Sequence, residues 1–285
     1  QDTLYALKER GVRLVLGLRD IMDDPALLAR EWERKNPLPA LRELYDDILV
    51  YGLPQICNPL EGVEMPQSVI DKITYTGYLR SRVPEYGTPA SRNQPLDEPY
   101  IFVTTGGGGD GEDLVDWVLS AYESDPDIPL PALVVFGPFM SPRRRQRFRE
   151  RIDRLPKVEA ITFDAHVETL MERAVGVVAM GGYNTFCEIL SLDKRAIIVP
   201  RRRPRLEQYI RASRAEHLGL VRMVSDKRGR DPARMAAALR ALPTQVRPSE
   251  VVVPGLLDGL DRIDRLVGSW LVERERAGLG LTANA

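Results

Sequence analysis

The chain has 285 residues, 44% of them hydrophobic and 28% charged, which is the composition of a globular protein with one large domain or two of ordinary size. Its formal net charge of −1 argues against nucleic acid as a partner, and its two cysteines, Cys57 and Cys187, argue against a disulfide framework or a structural zinc site. No apolar run approaches the roughly 18 residues that span a bilayer, so we expect a cytoplasmic protein.

Residues 1–80 predict three strands among short helices. The strands are expected at residues 12–18, 48–51 and 73–78, and Asp24 and Pro25 are expected to begin the helix after the first strand. Because three strands bury little apolar surface by themselves, we interpret this region as the last part of a doubly wound domain. Its first part, about 100 residues at the size of one ordinary domain, is expected to be missing from this chain.

A polar, proline-containing stretch at residues 81–99 is interpreted as a linker, after which strands and helices alternate regularly. Strands are predicted at residues 100–104, 132–136, 159–162, 175–180, 196–199 and 220–224. This alternation predicts a parallel sheet with helices on both faces. Residues 100–253 are therefore expected to form a second doubly wound domain, followed by an amphipathic helix and tail at residues 254–285. The predicted fold class is α/β with two Rossmann-like domains, the first only partly present.

The stretch MGGYNTFCE, residues 180–188, joins an apolar strand to a helix. Glycines let the backbone approach a ligand closely, and the first N–H groups of a helix attract phosphate. Glu188 follows about one turn later, where its carboxylate can reach a ribose diol beside that phosphate. The alternative is a strand-to-helix turn that merely needs glycine.

A second glycine-rich stretch, TTGGGGDG at residues 104–111, follows the first strand of this domain. It contains the spacing G-x-G-x-x-G, but the next strand ends at Phe136 without the acidic residue of a nicotinamide site, and no Lys-Ser/Thr pair of a P-loop follows. The loop either surrounds a phosphate or sugar or is a plain turn.

Two further strand-end loops carry polar residues. The first, FDAH at residues 163–166, contains Phe163 and His166, and His166 is either part of a ligand site or a helix cap. The second contains an arginine run, in which Arg201, Arg203 and Arg205 are candidates for anionic groups of donor or acceptor, or form a solvated surface. Glu207 and Gln208 begin the next helix, where they can bind sugar hydroxyls. A basic helix at residues 143–154 is interpreted as a solvated helix face, with attachment to an anionic membrane surface as the alternative.

The combination of TTGGGG, MGGYNTFCE and VPRRRPRLEQ (residues 199–208) resembles glycosyltransferases of the GT-B class, specifically family 28, which includes the peptidoglycan N-acetylglucosaminyltransferase. The resemblance covers residues 100–275 well. The earlier RLVLGLRDIMDDP, residues 13–25, is similar to the end of the first domain in a bacterial branch of predicted glycosyltransferases. Tyr183 and the cluster from Arg201 to Arg205 depart from the family pattern, which leaves the donor sugar and the acceptor open.

The resemblance implies a hexosyltransferase that takes a nucleotide diphosphate sugar, expected to be a UDP-sugar, as substrate and needs neither metal nor another cofactor. Glu188 would hold the ribose, Gln208 the donor sugar, and residues 163–167, including Phe163, His166 and Val167, the base. The diphosphate would face Gly181, Gly182, Asn184 and Thr185, and Gly107 and Gly108 would lie near the donor.

The resemblance also implies inversion at the anomeric carbon, through a base from early loops of the first domain that are expected to be missing here, so no catalytic residue is assigned. The acceptor would be a polysaccharide or lipid-linked sugar of the cell envelope, which places the enzyme at the inner face of the membrane. A nucleotide-sugar 2-epimerase and a non-catalytic nucleotide-sugar-binding module remain the alternatives. The last helix is expected to cross back and pack on the first domain.

Overall fold

The computed structural model describes residues 2–82, 96, 98–107, 109–162, 167–226 and 229–282, with side chains up to residue 276. The chain divides into two compact units. The first consists of Gln1–Arg80 together with Val253–Ala285, and the second of Ser81–Val252. Most of the stretch interpreted as a linker, including residues 83–95, lies outside the described residues.

The first unit contains a parallel three-stranded sheet in the order β1-β2-β3. Its strands are β1 Val15–Arg19, β2 Asp47–Tyr51 and β3 Ile73–Tyr75, and its helices before the second unit are α1 Asp2–Glu9, α2 Pro25–Lys35, α3 Leu38–Glu43 and α4 Gln67–Ile70. The predicted start of α2 is confirmed, because a carboxylate oxygen of Asp24 accepts a hydrogen bond from the amide of Ala26 at 3.0 Å.

The second unit contains a parallel six-stranded sheet in the order β6-β5-β4-β7-β8-β9. The strands are β4 Ile101–Thr104, β5 Ala132–Val135, β6 Val158–Ile161, β7 Gly176–Ala179, β8 Arg195–Ile198 and β9 Arg222–Met223. The helices are α5 Glu112–Ser124, α6 Pro142–Ile152, α7 Val167–Arg173, α8 Tyr183–Ser191, α9 Glu207–His217 and α10 Pro232–Ala241. The predicted doubly wound α/β domain is confirmed.

The strands of this sheet are buried because helices cover both of its faces. Every residue of β4, β5 and β7 is buried, which explains why these segments are continuous apolar runs. Strand β9 is shorter than the predicted segment 220–224. Helix α9 begins at Glu207, after the loop that contains Pro204.

Helix α6 carries the basic run, and its apolar side chains point inward. Phe148 and Ile152 are buried in the core, whereas Arg151 forms ion pairs with Asp116 and Glu123 of α5. The exposed side of α6 is therefore polar, as in the solvated interpretation of this helix. Within the described residues, no helix is both long and apolar enough to span a membrane.

The last helix, α11 Gly259–Thr282, belongs to the first unit. The chain returns to that unit beside Tyr78, whose amide donates to the carbonyl of Leu256 at 2.8 Å and whose carbonyl accepts from the amide of Gly259 at 3.2 Å. A side chain at Gly259 would place its Cβ 2.6 Å from the Tyr78 carbonyl oxygen, so only glycine fits there. Further along, the Arg13 guanidinium lies 4.5 Å from the ring centre of Trp270.

Candidate functional site

The six strands of the second unit end level with one another. Paired residues at their carboxyl ends run across the sheet in the order Ile161, Val135, Thr104, Ala179, Ile198 and Met223. Along the chain, β5 follows beside β4 and β6 beside β5. The chain then crosses to β7, which pairs with the other side of β4. Ligands of doubly wound sheets bind at such a topological switch point, outside the carboxyl ends of the strands. Both glycine-rich stretches of the sequence start here, one after β4 and one after β7.

The turn between β7 and α8, residues 180–182, is closely packed. Gly181 has φ +77°, a conformation that side chains rarely adopt, and a Cβ there would lie 2.7 Å from Cγ2 of Ile198. Gly182 is the N-cap of α8 and supplies no side chain to the first N–H groups of the helix. In the first turn Asn184 is exposed and Thr185 is half-buried. The arrangement leaves a helix N-terminus open toward the switch point, which is the geometry that binds phosphate.

The glycine loop, residues 105–111, lies across the switch point from this turn. Gly106 has φ +63°, its amide donates to the hydroxyl of Thr104 at 3.1 Å, and a Cβ on it would lie 3.9 Å from Oγ1 of Thr185. The carbonyl of Gly107 accepts from the amide of Phe139 at 3.0 Å. Gly108 lies outside the described residues. The two glycine stretches therefore lie close to each other at the switch point.

Glu188 is half-buried in the second turn of α8. Burial raises the pKa of its carboxyl above the ordinary value of 4.5, and the negative charge of Glu168, at the start of α7, raises it further. None of the described residues forms a hydrogen bond or ion pair with the Glu188 carboxylate. With respect to these residues, its oxygens can accept hydrogen bonds from the hydroxyl groups of a ligand.

The loop between β6 and α7 is only partly described. Phe163 and His166 lie outside the described residues, and Val167 is half-buried at the start of α7. Glu168, the next residue, was not singled out in the sequence. The sequence motifs do not predict a second acid close to Glu188, because the two residues lie on different helices.

Gln208 connects the start of α9 with the β7–α8 turn. It is 7% exposed, its Oε1 accepts from the amide of Arg201 at 3.2 Å, and its Nε2 lies 4.0 Å from the position of a Cβ on Gly182. The predicted sugar-contacting residue therefore lies beside the predicted phosphate-binding turn.

Arg201 makes ion pairs within the protein. One nitrogen binds Asp110 of the glycine loop, and another binds Oε1 of Glu207 at 2.7 Å. Burial opposes its charge, but the hydrogen bonds and negative charges of Asp110 and Glu207 outweigh it and raise the pKa of Arg201. Buried Nε of Arg201 and Oε2 of Glu207 have no hydrogen-bond partner among the described residues. Arg203 is exposed and Arg205 is half-buried, so the three candidate arginines lie in different environments.

Arg211 is a site residue that the sequence interpretation missed. It is 1% exposed, and its Nη1 donates to the carbonyl oxygen of Gly181 at 2.8 Å. It lies three residues after Gln208, and residues with that spacing share one side of a helix. That spacing is the signal that would have pointed to Arg211. Within the described residues, no cluster of three or more histidines, cysteines or acids is arranged to hold a metal ion.

Comparisons with known proteins agree with this geometry. Residues 100–246 match the glycosyltransferase family 28 C-terminal domain. No curated protein is significantly similar to the chain in sequence.

Solved structures extend the likeness to both units. The glycotransferase of kitacinnamycin aligns with a TM-score of 0.60 and 14% identity over 87% of this chain and 66% of its own. The spinosyn rhamnosyltransferase SpnG gives a TM-score of 0.53 and 14% identity over 93% and 66%. MurG of Acinetobacter baumannii gives 0.52 and 12% identity over 85% and 63%.

At such identities the likeness establishes the fold, and the chain spans 66% or less of the length of each of these solved chains. The fold is that of the GT-B glycosyltransferases, with a partial first domain. The family match covers more than half of the chain and includes both glycine stretches and Glu188. The chain belongs to glycosyltransferase family 28, and residues 100–246 are its C-terminal domain.

Proposed function

We propose that the protein transfers a sugar from a nucleotide diphosphate sugar, expected to be a UDP-sugar, to a hydroxyl group of a polysaccharide or lipid-linked acceptor. One observation carries the proposal. Two glycine stretches lie on opposite sides of the switch point, and Glu188 lies in the helix that begins there, with a carboxylate that has no partner among the described residues. This arrangement supports adjacent binding of phosphate, ribose and sugar.

We propose the following contacts between the protein and the donor. Its diphosphate lies against the Gly181–Gly182 turn and the first turn of α8, where N–H groups and the helix dipole stabilise negative charge. The two ribose hydroxyls donate to Glu188, and the donor sugar contacts Glu207 and Gln208. The unpaired Oε2 of Glu207 supports this placement, because a buried acceptor without a partner is costly and a sugar hydroxyl would satisfy it.

The reaction we propose is a single displacement that inverts the anomeric carbon and needs no metal ion. A base removes the proton from the acceptor hydroxyl, and that oxygen forms a bond to the anomeric carbon. The bond from this carbon to the diphosphate oxygen breaks, and the nucleotide diphosphate leaves with the electron pair. The N-terminus of α8 stabilises the charge that develops on the leaving group. We assign no residue of this chain as the base.

Isothermal titration calorimetry with UDP-, GDP- and TDP-sugars tests the donor site. We expect one nucleotide class to bind and Glu188→Ala to weaken its affinity at least tenfold, because two hydrogen bonds to a charged acceptor, each worth about 1.5–3 kcal/mol, are lost. Glu150→Ala, which removes an exposed carboxylate on α6, is the matched control and should bind like the wild type. If no nucleotide sugar binds, or if both variants bind equally well, the assignment is wrong.

Product analysis separates transfer from the alternatives. A transferase releases free nucleotide diphosphate only when acceptor is added, whereas a 2-epimerase changes the sugar without acceptor and a binding module does neither. Location at the inner face of the membrane is a further part of the proposal. Binding to anionic vesicles that weakens with added salt would support contact through the exposed arginines of α6, and absence of binding would exclude it.

A further inference from the structure

Arg211 lies beneath the β7–α8 turn rather than in the open crevice. Its guanidinium is buried, donates to the Gly181 carbonyl at 2.8 Å, and lies 5.8 Å from the ring centre of Tyr183. Arginine keeps its charge in proteins, and burying a charge is expensive unless specific partners receive it. The contacts of Arg211 with Gly181 and Tyr183 therefore place a full positive charge against the turn to which we assign the phosphate.

The hydrogen bond to Gly181 acts on the peptide group that joins the two glycines. The carbonyl of this group belongs to Gly181 and its N–H to Gly182, the N-cap of α8. A charged donor at the carbonyl makes a strong hydrogen bond, and it polarises the peptide so that the N–H becomes a better donor. No backbone acceptor for the Gly182 N–H occurs among the described residues. Within the described part of the chain, the N–H that Arg211 strengthens therefore has no backbone partner and can donate to phosphate.

Helix α9 contacts both glycines with residues one turn apart. Gln208 lies beside Gly182 and Arg211 binds Gly181, so α9 fixes the turn from one side. Tyr183, which departs from the family pattern, contacts Arg211 through its ring. The side chain of Tyr183, which is larger than that of the family pattern, therefore has a partner within the protein.

We propose that Arg211 is a positioning residue for the diphosphate of the donor. It holds the Gly181–Gly182 peptide in place and strengthens the Gly182 N–H as a phosphate donor. This inference rests on the proposed function, since it assumes that a nucleoside diphosphate occupies the turn. A merely structural arginine would lower the affinity for all ligands of the site alike, whereas a positioning residue for phosphate affects ligands according to their phosphate groups.

The test measures how affinity depends on the second phosphate. Calorimetry is performed with UDP and UMP, GDP and GMP, and dTDP and dTMP, and the pair that the wild type binds is used for the variants. We expect Arg211→Met to weaken the diphosphate at least tenfold and the monophosphate clearly less. Arg211→Lys, which keeps the charge without the planar donor group, should be intermediate. Arg214→Met removes an exposed arginine from the same helix and should match the wild type.

Equal losses for diphosphate and monophosphate, or no loss in Arg211→Met, overturn the role of Arg211. If Arg211→Met does not fold, Arg211→Lys decides, because it must lose more affinity for the diphosphate than for the monophosphate. If the wild type binds none of the six nucleotides, the proposed function itself fails, and that result is read from the wild type alone.

Discussion

The two glycine stretches at the switch point differ in how closely their central glycines are packed. In the β7–α8 turn, Gly181 has left-handed backbone, leaves no space for a Cβ beside Ile198, and binds a buried arginine. The glycine loop also contains a left-handed glycine, Gly106, and a closely packed one, Gly111, but between them a Cβ on Gly109 would contact no atom of the described residues within 4 Å, and one on Gly107 would make only ordinary contact with Phe139. A closely packed turn can hold a diphosphate in one position, whereas an open loop can adapt to sugars of different shape. Under the proposed function, the group common to all donors would thus bind at the turn, and the sugar, which varies between donors, would bind at the loop.

The largest effect is expected from Gly181→Ala. We expect a loss of about 3 kcal/mol in the free energy of unfolding, because strained backbone and an overpacked contact each cost about 1–3 kcal/mol. Nucleotide binding should be lost in the protein that still folds. Urea unfolding and calorimetry measure both quantities. A variant as stable as the wild type would contradict the close packing of this turn.

The next effect concerns Glu188→Gln and pH. Ribose hydroxyls bind best to the ionised carboxylate, so the nucleotide affinity of the wild type should fall as the pH decreases through the raised pKa of Glu188, above 4.5. The variant should bind weakly at every pH. Affinity measured from pH 8 down to pH 4, below the ordinary value of 4.5, checks this, and a wild-type affinity that does not change over that range would contradict it.

Stability should change in the opposite direction to binding. Because the folded-state pKa of Glu188 is raised, the folded protein holds the proton more tightly than the unfolded chain, and stability falls as the pH rises from 4.5 through the folded-state pKa. Glu188→Gln should therefore have a higher melting temperature than the wild type at pH 8. Glu168→Gln, which removes the neighbouring charge, should lower the pKa of Glu188 and shift the binding transition to lower pH.

A smaller effect is expected where the two regions are connected. Asp110→Asn removes the ion pair between the glycine loop and Arg201, which retains Glu207 as partner. We expect a loss of less than about 1 kcal/mol, as for partly exposed ion pairs, and faster hydrogen exchange in the glycine loop. Asp113→Asn, which breaks an exposed pair with Arg230, is the control and should leave loop exchange unchanged. Unchanged exchange in Asp110→Asn would mean that Arg201 does not restrain the loop.

The smallest effect is expected from Gly109→Ala. The added methyl group meets open space, so the free energy of unfolding should change by no more than about 0.5 kcal/mol. Compared with Gly181→Ala in the same urea experiment, this variant measures the difference between the two regions directly. A loss as large as that of Gly181→Ala would remove the distinction.

Local patterns in the sequence were sufficient to predict the fold and the family. Apolar runs separated by helices predict the parallel sheet, Asp24 and Pro25 predict a helix start, and the glycine motifs indicate the family. These features depend on neighbouring residues, which the sequence displays. The extent of β9 was not predictable in this way, because it depends on pairing with β8 rather than on its own apolar residues.

The roles of the arginines were not predictable from local patterns. Residue type alone groups Arg201 with Arg203 and Arg205. Its partner Asp110 is 91 positions away in the chain, so the ion pair is not visible in the local sequence. The spacing from Gln208 places Arg211 on the same side of α9, but it does not show that this cation is buried and bound to the Gly181 carbonyl. Which charges are paired inside the protein and which remain for a ligand is decided by tertiary contacts, and a single sequence does not contain that information.

The return of the chain beside Tyr78 has a consequence for limited proteolysis. Residues 1–80 and helix α11 form one unit, although the whole second unit separates them in sequence. A chain break between residues 82 and 96 would leave an amino-terminal fragment bound to the rest without a covalent bond, through Tyr78 with Leu256 and Gly259 and through Arg13 with Trp270. The two pieces are natural candidates for fragment complementation, in which separately expressed halves reassemble into the folded protein.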